Sequence, residues 1–379
     1  MTATTRRPQC SAGSRALFIG VELSQATWKL AFAVDAGARP RIRTVRAGAL
    51  ERVEAEIATA KQRVGLPATA PVVSVYEAGR DGFWVHRWLQ HVGVANQVLD
   101  AASIEVARRR RPKTDRLDAE KLVGLAIRLA AGERPCQVVR VPSEAVEDRR
   151  QLHRTLETLT AERTRSRNRI QGLLATVGVT VALRRDFPTR VAAARQPWNG
   201  APVPAGLQAR VCDEWARLVQ VEQQLAARRA DREAAITTGR DPVSCQARTL
   251  RRLQGIDTAG WTLAAELYAW RAFTNGRQIG AVVGLAPTPF ASGARRHETG
   301  ISHAGRPPLR ALAVQLAWLW LRHQPQSALS QWYQRRFGTA GPRARRIGIV
   351  ALARKLLIAL WRYVDTGVIP EGAVLKPSA

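Results

Sequence analysis

Residues 16–34 read ALFIGVELSQATWKLAFAV, and their reading decides the fold. Ala16 to Glu22 is a short apolar run that ends on an acid, the pattern of a buried strand. Trp28 to Val34 is a second run of the same kind, and Asp35-Ala36-Gly37 is a turn. Arg41 to Val45 alternates basic and apolar residues, as a third strand with one wet face does.

Working outward, Leu50 to Arg63 reads as a helix, Val72 to Glu77 as a fourth strand, Phe83 to Val92 as a helix, Ala95 to Leu99 as a fifth strand and Asp115 to Ala131 as a helix. Three strands followed by strands alternating with helices is the order of a ribonuclease-H-like sheet. Residues 144–178 and 205–238 read as long helices. In the first, Leu152, Leu156, Leu159, Arg163, Ser166, Ile170, Leu173 and Val177 are spaced alternately four and three, a heptad seam with two polar interruptions. Leu207, Val211, Trp215, Leu218 and Leu225 make a similar seam in the second. The connection between them is rich in proline, so an antiparallel coiled-coil arm is expected. The chain from about 249 to 369 reads as a small helical domain. It holds a helix-hairpin-helix-like turn at Leu253-Gln254-Gly255-Ile256 followed by Ala264-Ala265-Glu266-Leu267, a Gly/Pro/Ser loop from Gly284 to Arg306, and helices at Pro307 to Arg322 and Arg345 to Val364. Trp318, Trp320 and Trp361 are expected to pack a core or an interface.

The 379 residues suffice for two or three domains with real cores. Lys and Arg number 59 against 30 Asp and Glu, a net charge of +29. So large an excess calls for a polyanionic partner, and nucleic-acid phosphate is the simplest one. The four cysteines are scattered, without a CxxC or a Cys/His cluster, so neither a structural zinc nor disulfides are expected, and a reducing cytoplasm fits. The first fourteen residues are polar and basic, not a signal peptide. Leu309 to Leu321 is too short for a membrane span, and Ile347 to Tyr363 is interrupted by Arg354 and Lys355.

Four acids stand out. Glu22 and Glu77 each end a strand, and Asp115 and Asp118 sit three apart at a helix start, facing one side. Carboxylates converging in this way would hold hard divalent cations that neutralise a transferring phosphate. Lys113 precedes the helix as a cation. Ser292 lies in Phe290-Ala291-Ser292-Gly293-Ala294-Arg295-Arg296, where Arg295, Arg296, His297 and Arg306 are near in sequence as a source of positive charge and Gly293 permits close approach of a phosphate; Lys113, Arg295, Arg296 and Arg306 are read as nucleic-acid contacts. From the residues alone Ser292 is either a nucleophile or part of a polar turn, and Ser302 is its rival. Arg163, Arg165, Arg167 and Arg169 form a basic stripe on the first long helix, read as a nucleic-acid surface.

Several of these segments resemble the DEDD-type insertion-sequence transposases, the bridge-RNA-guided serine recombinases. Ile19-Gly20-Val21-Glu22-Leu23-Ser24 is similar to their opening motif, Tyr76-Glu77-Ala78 to their second acidic motif, and Lys113-Thr114-Asp115-Arg116-Leu117-Asp118-Ala119 to their KTDxxDA signature. Gly255-Ile256, Gly284-Leu285-Ala286-Pro287, Ala291-Ser292-Gly293, Gly300-Ile301-Ser302, Arg310 and Val350 to Leu356 follow their C-terminal domain in order. The resemblance implies a basic tail over 1–14, a RuvC-like domain over 15–140, a coiled-coil arm over 141–245, a mainly helical C-terminal transposase domain over 246–370 and a tail over 371–379. It implies a Mg²⁺ (or Mn²⁺) site at Glu22, Glu77, Asp115 and Asp118, and a covalent phosphoserine at Ser292. It also implies DNA and a structured noncoding guide RNA as partners, and a tetramer whose protomers share the two halves of the chemistry. The family's first acid is Asp; here it is Glu22, one methylene longer. The alternatives are a metal-dependent junction endonuclease that uses water, in which Ser292 is dispensable, and an inactive nucleic-acid-binding relative.

Overall fold

The computed structural model describes residues 15–37, 39–79, 82–104, 115–292, 295–302 and 305–377, with backbone only at 102, 288–292 and 295–299. The chain forms two compact units, Met1–Val141 and Pro142–Ala379.

The first unit runs β1 (Leu17–Leu23), β2 (Thr27–Ala33), β3 (Arg41–Arg46), α1 (Leu50–Arg63), β4 (Val72–Glu77), α2 (Trp84–His91), β5 (Ala95–Leu99), α3 (Asp115–Ala130) and β6 (Val138–Val139). Its six strands lie in the order β3-β2-β1-β4-β5-β6. β1, β2 and β3 pair antiparallel, β1, β4 and β5 pair parallel, and β6 returns antiparallel to β5. This mixed α/β sheet is consistent with a ribonuclease-H-like domain. Strand alternation divides its side chains between two faces. Leu17, Ile19 and Val21 join Trp28, Leu30 and Phe32 on the face packed by Val53 and Ile57 of α1 and by Val85 and Leu89 of α2. Ala31, Ala33 and Val75 belong to the opposite face, where Ala119, Leu122 and Val123 of α3 cover them.

The second unit runs α4 (Glu144–Ala175), α5 (Phe187–Ala193), α6 (Ala205–Thr238), α7 (Pro242–Arg251), α8 (Ala259–Leu263), α9 (Gly276–Val283), β7 (Pro287–Ser292), β8 (Arg295–Ile301), α10 (Pro307–His323), α11 (Ala328–Phe337) and α12 (Pro342–Thr366). α4 and α6 pack side by side. Leu156 and Leu159 meet Val221 and Leu225, while Ile170 and Leu174 meet Leu207, Val211 and Leu218, so the helices run antiparallel. At the end of the seam Leu174 is buried, and Leu173 and Val177 pack, partly buried, against the same cluster. α7 to α12 close around a separate core that includes Leu267, Leu316, Trp320, Leu352 and Leu356. Trp320 is buried, Trp361 packs edge-on against Phe273, and Trp318 is exposed.

The stretch expected as a loop from Gly284 to Arg306 contains an antiparallel hairpin, β7 with β8. Its prolines and charges hide the strand pattern, because Pro287 and Pro289 break β propensity. The helix-hairpin-helix-like turn forms around Gly255 at φ +85°, but its Gln254 N–H donates to Val374 O and Arg252 O accepts from Lys376 N–H. The chain end thus occupies the Gln254 N–H that a phosphate would need. Among the described residues no helix is long and apolar enough to cross a membrane.

Candidate active site

The acidic face is built on a close approach. A Cβ added at Gly20 would lie 2.4 Å from Val123 N and 2.5 Å from Ala119 O, so only glycine lets the backbone of α3 settle onto β1 here. Ala31 and Ala33 keep the neighbouring strand equally low. Two residues beyond Gly20 on the same face is Glu22, and one helical turn before Ala119 and Leu122 are Asp115 and Asp118. Glu77 follows Val75 by two on the same face of β4, whose register with β1 sets Tyr76 beside Val21. The four predicted acids therefore share one end of one sheet face, under the first turn of α3.

Lys29 pairs with Glu22 across β1 and β2, and its Nζ lies 4.0 Å from Asp115 Oδ2. A cleft of about 290 Å³ opens at the strand ends, lined by Glu22, Ser24, Tyr76, Glu77 and Gly79 among others. Tyr76 is fully buried and its hydroxyl donates to Gly82 O at 3.1 Å, which holds the strand end at the cleft. Among the described residues no three Asp, Glu, His or Cys side chains are clustered tightly enough to grip an ion as they stand. The donor set nonetheless fits a hard divalent cation, since it offers only carboxylate oxygens. Glu22, Glu77, Asp115 and Asp118 are the residues that would hold it. Lys113 lies outside the described residues.

In the second unit, Ser292 pairs with Arg295 in the β7–β8 register. Ser292 therefore ends one strand at the tip of the hairpin. The side chains of Ser292, Arg295, Arg296 and His297 lie outside the described residues. The rival, Ser302, sits at the hairpin base, where its N–H donates to Ala286 O at 2.9 Å.

Arg306 is held by acids. Its Nη1 lies 2.5 Å from Glu266 Oε2 and its Nη2 3.4 Å from Glu157 Oε2. These carboxylates raise its pKa against the opposing effect of burial. In the basic stripe, Arg167 faces Glu222 at 3.7 Å and Arg169 faces Glu214 at 2.6 Å across to α6. Two of the four stripe arginines thus tie the helix pair together, and the matching acids are on the partner helix.

Sequence reasoning missed Glu266. It is 2 % exposed on a π-helical turn, Ala264–Tyr268, that continues α8 and is closed by Ala269 N–H to Ala264 O. Arg154 Nε lies 3.5 Å and Arg150 Nη2 3.9 Å from its carboxylate. Burial lowers the pKa of Arg150 to about 10, and its guanidinium lies 4.1 Å from the Trp270 ring centroid. An acid inside the apolar run from Leu263 to Tyr268 is the signal that marks it. Lys29 was hidden in an apolar strand and shows its role only through pairing.

Comparison with known proteins bears on both units. A family model described as "Transposase", of the DEDD IS110 type, matches residues 36–178. A second, described as "Transposase IS116/IS110/IS902 family", matches residues 247–332. The Sinorhizobium fredii protein named transposase y4rJ is 40 % identical over 397 aligned positions, covering 99 % of this chain and 100 % of the relative. The transposase for insertion sequence element IS1328 of Yersinia enterocolitica is 26 % identical over 58 % of this chain and 63 % of its own length. That for IS1111A of Coxiella burnetii is 26 % identical over 63 % of each. With a relative at 40 % identity along the whole chain, and both family models matched in order, the chain belongs to the IS116/IS110/IS902 family of transposases, DNA-processing enzymes that cleave and transfer strands.

Proposed function

We propose that the chain moves its own insertion sequence by metal-dependent strand cleavage that uses Ser292 as the nucleophile. The observation that carries this reading is the close seat of α3 on Gly20, which brings the turn of Asp115 and Asp118 over the strand ends of Glu22 and Glu77. Four carboxylates of like charge at one strand end would repel one another in the absence of a counter-charge. Lys29 supplies one such charge. A bound Mg²⁺ or Mn²⁺ would supply the rest, and when bound it neutralises charge on the transferring phosphate.

Ser292 Oγ attacks phosphorus, a serine O–P bond forms and one deoxyribose O–P bond breaks. The serine hydroxyl gives up its proton and the departing deoxyribose oxygen takes one up. The phosphodiester energy is kept in the phosphoserine, so a second hydroxyl can reverse the step and join a new strand. The hairpin-tip position of Ser292 suits access to a duplex. The 15–140 segment is the RuvC-like nuclease domain in this reading, 141–245 the arm and 246–370 the serine domain. The similarity of the motifs to RNA-guided relatives supports a structured noncoding RNA as the guide. It also supports a tetramer in which different protomers contribute the two halves. The net charge of +29 is enough to hold both nucleic acids.

The test is excision in cells. The protein is expressed beside its native flanking DNA and the excised circular junction is amplified. A junction from wild type that disappears with Ser292→Ala and with Asp115→Ala supports the reading. A junction that survives Ser292→Ala supports a water-using nuclease instead.

A further inference from the structure

Glu266 is a buried carboxylate that the chemistry proposed above does not use. Its three guanidinium neighbours come from two places in the chain. Arg150 and Arg154 belong to α4, and Arg306 is the residue from which α10 starts. Arg306 also reaches Glu157 of α4. One side chain thus gathers the long helix and the exit of the β7–β8 hairpin onto a single point.

That exit is held from the other side as well. Gly305 adopts φ +89°, and a Cβ there would lie 2.0 Å from Val282 O, so the backbone is pressed against the end of α9. Ser302 N–H donates to Ala286 O and closes the two hairpin strands at their base. Gly305 and Arg306 are therefore held between α9 and the Glu266 cluster, with Ser292 at the far end of the same hairpin.

Stability alone does not account for such a cluster. Desolvating the Glu266 carboxylate and the Arg150 guanidinium is costly, and well-packed apolar residues of similar volume are often as stable or more so. The π-helical turn that presents Glu266 is itself an uncommon irregularity, frequent at functional sites. What a charged cluster adds is direction, since bidentate-capable guanidiniums fix orientation as well as distance.

We propose that Glu266 is a positioning residue for strand cleavage: by holding Arg306 against α4 it fixes the base of the β7–β8 hairpin and so the aim of Ser292. This rests on the reading of Ser292 as the nucleophile. Glu266 touches no DNA in this account and acts through Arg306.

The experiment uses the full chain purified with its co-expressed flanking RNA, and a labelled duplex of the element's own end. The single-turnover rate of covalent protein–DNA adduct formation is measured at saturating DNA, beside the Kd for DNA and the melting temperature. Glu266→Gln is expected to lower the rate about ten- to a hundredfold, the scale of a misplaced reacting group, with Kd unchanged. Glu266→Asp, which keeps the charge, recovers part of the rate. Arg306→Gln added to Glu266→Gln slows the reaction no further. Amide exchange over 295–302 speeds up in Glu266→Gln while that of α6 stays as in wild type. A Glu266→Gln rate equal to wild type overturns the proposal. So does a loss that follows Kd or melting temperature and that Glu266→Asp does not relieve. Ser292→Ala runs in parallel: an adduct that persists there overturns the nucleophile reading itself, whatever Glu266→Gln does.

Discussion

The ammonium of Lys29 lies 4.0 Å from the carboxylate of Asp115. The two residues come from the second strand and from a helix that starts 86 positions later, and they meet because α3 sits directly on the sheet. Lys29 also stands opposite Glu22 in the β1–β2 register, so a fixed cation occupies the face where a divalent ion is proposed to bind. In that proposal the two cations would compete for Asp115. Lys29→Met is expected to lower the Mg²⁺ concentration for half-maximal cleavage. Its stability should stay within about 1 kcal/mol, because the pair is half-exposed and long. A metal titration of cleavage checks this, and a higher Mg²⁺ requirement in Lys29→Met would rule the competition out.

Gly20→Ala tests the seat of α3. The new methyl group would meet the α3 backbone at Val123 N and Ala119 O, and backbone cannot step aside as a side chain can. A loss of about 1–3 kcal/mol is expected from overpacking. Metal-dependent cleavage should fall further than stability, because Asp115 and Asp118 move with the helix. Denaturant melts beside cleavage rates give the answer, and an unchanged melt would mean that the approach is looser than described.

Asp115→Asn, Asp118→Asn and Glu77→Gln are each expected to abolish cleavage while leaving DNA affinity near wild type, since binding rests on the +29 charge. Chelation should do the same, reversed by Mg²⁺ or Mn²⁺. Gel shifts run beside cleavage assays separate the two effects. Glu22→Asp is informative in the other direction. A rate at or above wild type would identify Glu22 as a ligand that tolerates the shorter side chain.

Asp241 caps α7. Its carboxylate accepts from Ser244 N–H at 3.0 Å, from Ser244 Oγ at 2.6 Å and from Arg149 Nε at 3.1 Å. Burial alone would raise its pKa, but the hydrogen bonds from Ser244 and Arg149 outweigh it and hold the group below the usual carboxylate range. A depressed carboxylate pKa adds stability that is present above its unfolded value, about 3.9, and is lost as pH falls through the folded one. Asp241→Ala should cost about 1–2 kcal/mol at neutral pH. The gap from wild type should close as the solution is acidified below pH 4. A gap that stays constant in acid would show that the ionised carboxylate is not what stabilises the cap.

His153 gives a pH effect of the same sign at higher pH. Burial pushes its pKa below that of a free imidazole, Glu157 and Glu266 oppose the shift, and Arg306 and Arg154 add to it. The unfolded chain therefore binds a proton near pH 6.5 that the folded chain resists. Stability should fall as pH drops below about 6.5, and His153→Gln should flatten that slope. Melting temperatures between pH 7.5 and 5.5 decide it, and a slope as steep in the variant as in wild type would assign the effect to other groups.

Much of the first unit was legible because its strands are runs of β-branched and aromatic residues cut by Gly, Pro and Asp. Thus Val72–Glu77 and Leu50–Arg63 form as read. β6 was not legible, since two residues, Val138 and Val139, carry no period at all. The β7–β8 hairpin was hidden by its own chemistry, because Pro287, Pro289 and the Arg295-Arg296 pair disguise the alternation. α11 escaped notice between two more apolar helices. The four acids could be found from strand ends and a helix start, but not the means of their approach. That depends on Gly20, whose role appears only when α3 is laid upon it. The pairing of Arg167, Arg169 and Arg306 was equally invisible, because the acids that hold them come from other helices.

The most direct test of the central claim is to trap the covalent intermediate and map its attachment site. The full chain is incubated with the element-end duplex and Mg²⁺, quenched in denaturant, and digested for mass spectrometry. The account requires a nucleotide phosphate on Ser292, formed only with Mg²⁺ present, absent in Asp115→Asn and absent in Ser292→Ala. Cleavage that proceeds in Ser292→Ala, with free ends and no protein–DNA link in wild type, would contradict it.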